Sequence, residues 1–204
     1  SVAQIYDELR DGRVDIIVGT QQIAKGLDLP NLAVVGIVQA DAGLNLPDFG
    51  ARERTFQLIA QAVGRVGRGA DKTTAIIQSF QPDAAAVQFG AKQDFWDFYD
   101  AEIHERAHAK FPPFANLLKL TNSYKAEKSA ASSAQKIADL IREKYPTETG
   151  TFILGPTPAF YERARDNYRW QVVVRATRRE TLAAIAKQIP PSHWTAEIDP
   201  VSLI

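Results

Sequence analysis

Two arginines three residues apart, Arg65 and Arg68, close the segment QAVGRVGR at residues 61–68. At a helix end this spacing puts both on one side. Gly64 and Gly67 around them allow a close backbone approach. A guanidinium is always charged and grips phosphate oxygens in a two-pronged fork. The pair therefore suits a nucleoside triphosphate and the charge that develops during phosphoryl transfer. The plain alternative is a glycine-softened helix end whose two solvated arginines favour the helix dipole. A second segment, GTQQIAKGLDLP at 19–30, directly follows an apolar run. A Gly-Thr at the C-terminal end of a strand, leading into a helix, offers a hydroxyl and free N–H groups to a phosphate. Gly26 and Asp28 then form a tight polar loop. An ordinary strand–turn–helix with Asp28 as turn former fits the same residues.

The elements that must position these groups alternate. After a short amphipathic run at 2–9, VDIIV at 14–18 is β-branched and reads as a buried strand, and 21–25 as a short helix. LAVVGIV at 32–38 has the continuous apolar character of a parallel strand covered on both faces. Residues 40–50 hold Gly, Asn, Pro and Asp and read as loop. The 3,4 spacing of Phe56, Ile59, Ala60 and Val63 predicts a helix over 52–66, with the arginine pair at its end. A strand at 73–79 and helices at 83–89 and 95–107 follow. The alternation predicts α/β topology with a mostly parallel sheet.

The Phe-Pro-Pro-Phe at 111–114 breaks this pattern. Beyond it the spacing predicts a strand at 117–122 and a helix at 125–144, with Ala130, Ala134, Ile137, Ala138 and Ile141 on one face. A strand at 151–154 meets a Gly-Pro-Thr-Pro turn. Then come a strand at 168–175 with Trp170, Val172 and Val174 on one face, a helix at 178–188 and a strand at 194–198. The order β-α-β-β-α-β predicts an α+β ferredoxin-like domain. Two domains are expected, 1–108 and 109–204.

Composition narrows the chemistry further. The chain has 204 residues, 24 Lys+Arg, 24 Asp+Glu, no Cys and no Met. Without Cys there are no disulfides, thiolate metal sites or Cys nucleophile. His104, His108 and His193 are too scattered to favour a His-based metal site. No apolar run reaches the ~18 residues that cross a membrane. The lack of an initiator Met leads us to expect a piece of something longer. The zero net charge hides an asymmetry. Residues 1–108 carry 10 Lys+Arg and 15 Asp+Glu, a net of −5, and residues 109–204 carry the balancing +5. A basic half is the footprint of a polyanion partner or, on the plain reading, a chance imbalance on a solvated surface.

Together, 19–30 and 61–68 resemble motifs V and VI of superfamily 2 helicases. The run GTQQIAKGLDLPNLAVVGIVQADAGLNLPDFGARERTFQLIAQAVGRVGRG, then KFPPFANLLKL, then ILGPTPAFYERARDNYRWQVVV and a final Ile-Asp-Pro, is similar to the C-terminal portion of the PriA family of replication-restart helicases. The resemblance implies a partial RecA-like second helicase lobe and a C-terminal domain that contacts DNA and single-strand-binding protein. It implies that Thr20 meets a phosphate of the translocated strand, and that Gly26, Asp28 and Gly64 lie near the nucleotide. Gln61, Arg65 and Arg68 would face the ATP across a cleft, with Arg68 the finger on the γ-phosphate. In the second half, Arg163, Arg165, Arg169, Arg175, Arg178 and Arg179 become candidates for phosphate or acidic-peptide contacts. Tyr168 and Trp170 become candidates for base stacking, although Trp170 also has the alternation of a core residue.

The same resemblance locates what is missing. No phosphate-cradling G-x-x-x-x-G-K-[ST] loop or Asp-Glu pair for magnesium occurs in a suitable place, so ATP and Mg would be held mainly by a first lobe. The family's zinc-binding cysteines would lie upstream. Where the family has Arg after Pro-Asp-Phe this chain has Gly50, with Arg52 the candidate to compensate. Implied partners are single-stranded and forked DNA, single-strand-binding protein and other primosome proteins, in the bacterial cytoplasm with the nucleoid. Two rivals stand beside this reading. One is another superfamily 2 translocase of the RecG type. The other is a non-catalytic module that docks forked DNA or a single-strand-binding protein tail.

Overall fold

The computed structural model describes residues 8–9, 11–20, 32–65, 73–164 and 166–204. Contacts divide the chain into two compact units, Ser1–Leu46 with Gly50–Ile103, and Pro47–Phe49 with His104–Ile204.

In the first unit, β1 (Val34–Ile37) and β2 (Thr74–Ile77) pair in parallel, Val34 opposite Thr74 and Ile37 opposite Ile77. A 3-10 turn (Ala42–Asn45) leads to α1 (Ala51–Val63), α2 (Ala85–Lys92) follows β2, and α3 (Phe95–Ala109) belongs to this unit up to Ile103. The helical spacing read for 52–66 has a direct cause. Thr55, Phe56, Ile59 and Ala62 line the buried face of α1, and Ile59 packs with Val87, Ile37 and Ile77. Phe56 stacks on Phe98 of α3, ring centroids 4.2 Å apart. The α1–α2 contact is close enough to demand glycine. A Cβ at Gly90 would sit 3.0 Å from Ile59 Cβ and 3.3 Å from the Phe56 carbonyl.

Two expectations for this unit are corrected. Residues 14–18 form no strand, and Ile16 and Val18 are 80% and 90% exposed. A β-branched run fits a sheet, but a ladder is a relation to a neighbour, and the sheet described here consists of β1 and β2 alone. Nor is β1 covered on both faces. Val35 and Ile37 are half-buried, while Val34 and Ile76 across the pair remain more than half exposed. The helix expected at 21–25 lies outside the described residues, as does most of the run at 2–9.

The second unit holds β3 (Asn116–Tyr124), α4 (Glu127–Lys144), β4 (Thr151–Ala164), β5 (Asn167–Ala176), α5 (Arg179–Ala186) and β6 (Trp194–Ile198). Its sheet is antiparallel throughout, in the order β4-β5-β3-β6. Strand alternation and helix periodicity meet on one face of the sheet. Leu118, Leu120, Val172 and Val174 pack there against Ala134, Ile137, Ala138 and Ile141 of α4 and Leu182 and Ile185 of α5. Fully buried Asn122 stitches that core, donating Nδ2–H to the Ala130 carbonyl (2.8 Å) and accepting the Trp170 N–H (3.1 Å). On the opposite face, Leu117, Val173 and Leu203 form a smaller cluster with Phe49 and Phe111. The buried Lys119 ammonium donates to the carbonyls of Ser202 and Ile204. Asp48 accepts from the Leu203 N–H and the Ser202 hydroxyl, which sews residues 47–49 into this unit.

The turn expected at Gly-Pro-Thr-Pro is absent as a chain reversal. Instead β4 runs on through it, with register shifts between Leu154 and Thr157 and between Pro158 and Arg163. Two prolines are tolerated because β4 is an edge strand, where an absent N–H costs no ladder bond. Gly155, at φ +92°, supplies the irregular step, and a Cβ there would approach Gln171 O and Thr157 N to 3.1 Å.

Candidate functional site

Three of the first unit's candidate groups, Gln61, Gly64 and Arg65, lie at the C-terminal end of α1. Gln61 is exposed on its last turn and Arg65 half-buried just beyond it. Gly64 caps the helix with its N–H on Ala60 O. Gln93 braces the same end by donating Nε2–H to Ala60 O (3.0 Å), and a Cβ at Gly64 would lie 2.7 Å from that amide nitrogen. The glycine thus lets a side chain from beyond α2 close over the helix terminus. Thr20 is exposed, two residues beyond the 14–18 run. Gly26, Asp28 and Arg68 lie outside the described residues.

Near the ends of β1 and β2, Asp41 is 2% exposed and accepts from Ser79 Oγ and Phe80 N, both at 3.0 Å. Burial by itself would raise its carboxyl. The hydrogen bonds from Phe80, its own backbone, Ser79 and Gln81 outweigh that and hold it below the ordinary 3.8. Asp41 is thereby a charged latch between the chain after β1 and the chain after β2. Reading 40–50 as loop gave no sign of it, because its partners are 38 and 39 residues away. Arg52 Nε lies 3.4 Å from Glu102 Oε2, a carboxylate with 9% of its side chain exposed. The residue considered as a substitute for an arginine at 50 is thus an ion-pair partner inside the first unit.

The arginines of the second unit fall into three situations. At the β4–β5 hairpin, Arg163 lies over the Tyr168 ring (4.4 Å to the centroid) and hydrogen-bonds its hydroxyl. Arg165 lies outside the described residues. Arg169 is half-buried. Arg175 points into the unit, donating to Ala109 O (2.6 Å) over the Phe152 ring. Before and at the start of α5, Arg178 and Arg179 are well exposed, the latter 2.7 Å from Asp199 Oδ2. Trp170 is half-buried against the main core. Reading the sequence for sites passed over Phe160 and Tyr161. Both are exposed, their rings perpendicular and 5.1 Å apart. The only signal was the aromatic pair itself, just past the Gly-Pro-Thr-Pro expected to turn. Among the described residues no group of three His, Cys, Asp or Glu is placed to hold a metal ion.

Comparison with known proteins gives these groups a context. Residues 107–201 match the primosomal protein N C-terminal domain, and residues 2–70 match the helicase conserved C-terminal domain. The chain is 38% identical to replication restart protein PriA of Bacillus subtilis over 93% of its own length and 23% of that protein. It is 33% identical to the Treponema pallidum protein of the same name over 100% of the chain and 32% of the relative. With the Synechocystis protein it is again 33% identical, over 98% and 24%. The chain thus spans about a quarter to a third of the length of these relatives.

Proposed function

Because the chain belongs to the PriA family of replication restart proteins, we propose that it is the part of an ATP-dependent DNA helicase that supplies one half of the nucleotide site and a DNA-contacting domain. The observation that carries this is the end of α1. Gln61 on the last turn and Arg65 just beyond it sit at the end of a helix fixed to the parallel strands through Ile59 and braced at its terminus by Gln93. A guanidinium on so firm a mount is suited to meet a triphosphate held by another lobe. Arg65 and Arg68 neutralise the charge that builds on the transferred phosphoryl group, and Gln61 faces the same nucleotide. Gly26, Asp28 and Gly64 lie beside it, and Thr20 holds a phosphate of the DNA strand. ATP and Mg are cradled by the first lobe, and zinc belongs to cysteines this chain does not contain.

The second unit reads as the ferredoxin-like domain. Its β-α-β-β-α-β order and the sheet order β4-β5-β3-β6 support that assignment. It contacts single-stranded and forked DNA, single-strand-binding protein and other primosome proteins, at the chromosome in the cytoplasm. The match over 107–201 favours this family over a RecG-type translocase. A purely non-catalytic docking module remains compatible with the second unit alone.

With only one face of the ATP site, the 204-residue chain releases no phosphate from ATP in a malachite-green assay, with or without single-stranded DNA. Robust turnover by the pure chain would overturn the half-site assignment.

A further inference from the structure

We infer that the bulge of β4 that carries Phe160 and Tyr161 is a base-stacking platform for single-stranded nucleic acid. The inference rests on the proposed DNA contact of the second unit and names the residues and ligand chemistry of that contact.

The bulge is built into the sheet. From Pro158 opposite Trp170 to Arg163 opposite Tyr168, β4 advances five residues while β5 advances two. The surplus must leave the ladder. Ala159 is buried at 7% exposure and anchors the excursion, while Phe160 and Tyr161 stand out at 45% and 61%. Their rings contact each other edge to face, a geometry that limits how far either can turn and leaves ring surface open. Tyr168, the other tyrosine of this hairpin, has one face covered by the Arg163 guanidinium. The open rings are therefore those on the bulge.

Two observations select the occupant. The edge of β4 cannot readily accept a protein strand, because Pro156 and Pro158 present no N–H there. Over residues 160–169 three arginines stand against Glu162 and Asp166, which leaves one net positive charge. Such a balance admits the phosphates of a strand, and the rings supply the preference for its bases. Exposed aromatic rings beside arginines suit unpaired bases, every one of which has a π-face. Duplex DNA, whose bases are already stacked, offers them nothing comparable.

The test is fluorescence anisotropy on the 204-residue chain with two labelled probes of about 15 nucleotides. One is oligothymidine and the other an abasic sugar-phosphate strand of equal length. The chain is expected to bind oligothymidine about 10-fold more tightly than the abasic strand. A Phe160→Ala/Tyr161→Ala double variant loses that preference and keeps the abasic affinity, whereas Tyr161→Phe retains the preference. Circular dichroism of the variants confirms an unchanged fold, as expected for exposed rings. Equal binding of both strands by the unaltered chain, or a preference that survives in the double variant, refutes stacking at the bulge and leaves the DNA contact standing. Binding of neither strand at low salt removes both.

Discussion

Arg65→Ala, in a chain joined to a first lobe that cradles ATP, is expected to lower ATP turnover by about 10²-fold or more, the loss of one fixed donor to developing charge. In its proposed role Arg65 meets a charge that develops only in the transition state, so the loss is expected to fall on kcat and leave KM for ATP little changed. Arg65→Lys recovers only a small part, because an ammonium keeps the charge and loses the planar fork. The helix that ends just before Arg65 is anchored independently, by Ile59 in the core and by Gln93 on the Ala60 carbonyl. Thermal melting should therefore move little. Steady-state phosphate release, read with a melting curve for each variant, checks this. A loss under about tenfold would remove Arg65 from the reacting phosphate.

Asn122→Ala carries the largest expected effect on stability. Asn122 is fully buried, and its amide makes two bonds to backbone, to Ala130 O of α4 and from Trp170 N of β5. Alanine removes both bonds and leaves a small void, a cost of about 3 kcal/mol. For a unit of this size that corresponds to a fall in Tm of more than about 10 °C. Asn122→Asp should be no better, since a carboxylate cannot donate to Ala130 O and its charge would be buried. Urea unfolding followed by tryptophan emission measures the change, because Trp170 and Trp194 flank the site. A change below about 1 kcal/mol would mean that water or a neighbour replaces the amide.

Residues whose environment is set locally were readable in advance. The 3,4 spacing of Phe56, Ile59 and Val63 marked α1 to within three residues at its end, and the alternation of Trp170, Val172 and Val174 marked the helix-covered face of β5. The arginine pair and the 19–30 segment were legible as candidate phosphate groups because their chemistry lies in residue type and short spacing. What failed to show depends on distant partners. Residues 14–18 have the composition of a strand, and among the described residues no strand pairs with them. Pro156 and Pro158 read as a turn because nothing local says that β4 is an edge. Asp41, Asn122 and Lys119 carry no local pattern that marks them, and only the fold brings Ser79, Trp170 and the Ser202 carbonyl to them. Arg175 looked equivalent to Arg178, yet Ala109 and Phe152 claim it from elsewhere in the chain.

The central proposal, that this chain holds DNA through its second unit, is tested most directly by a salt series. Anisotropy of labelled single-stranded and forked DNA is followed against the chain and against a variant with Arg163, Arg169, Arg178 and Arg179 changed to Ala. The account predicts binding that weakens steeply with salt, with a logarithmic slope of about −3 for four phosphate contacts on a single strand, and a variant that has lost most of both slope and affinity. A variant that binds like the parent, or a parent that does not bind at low salt, would contradict it.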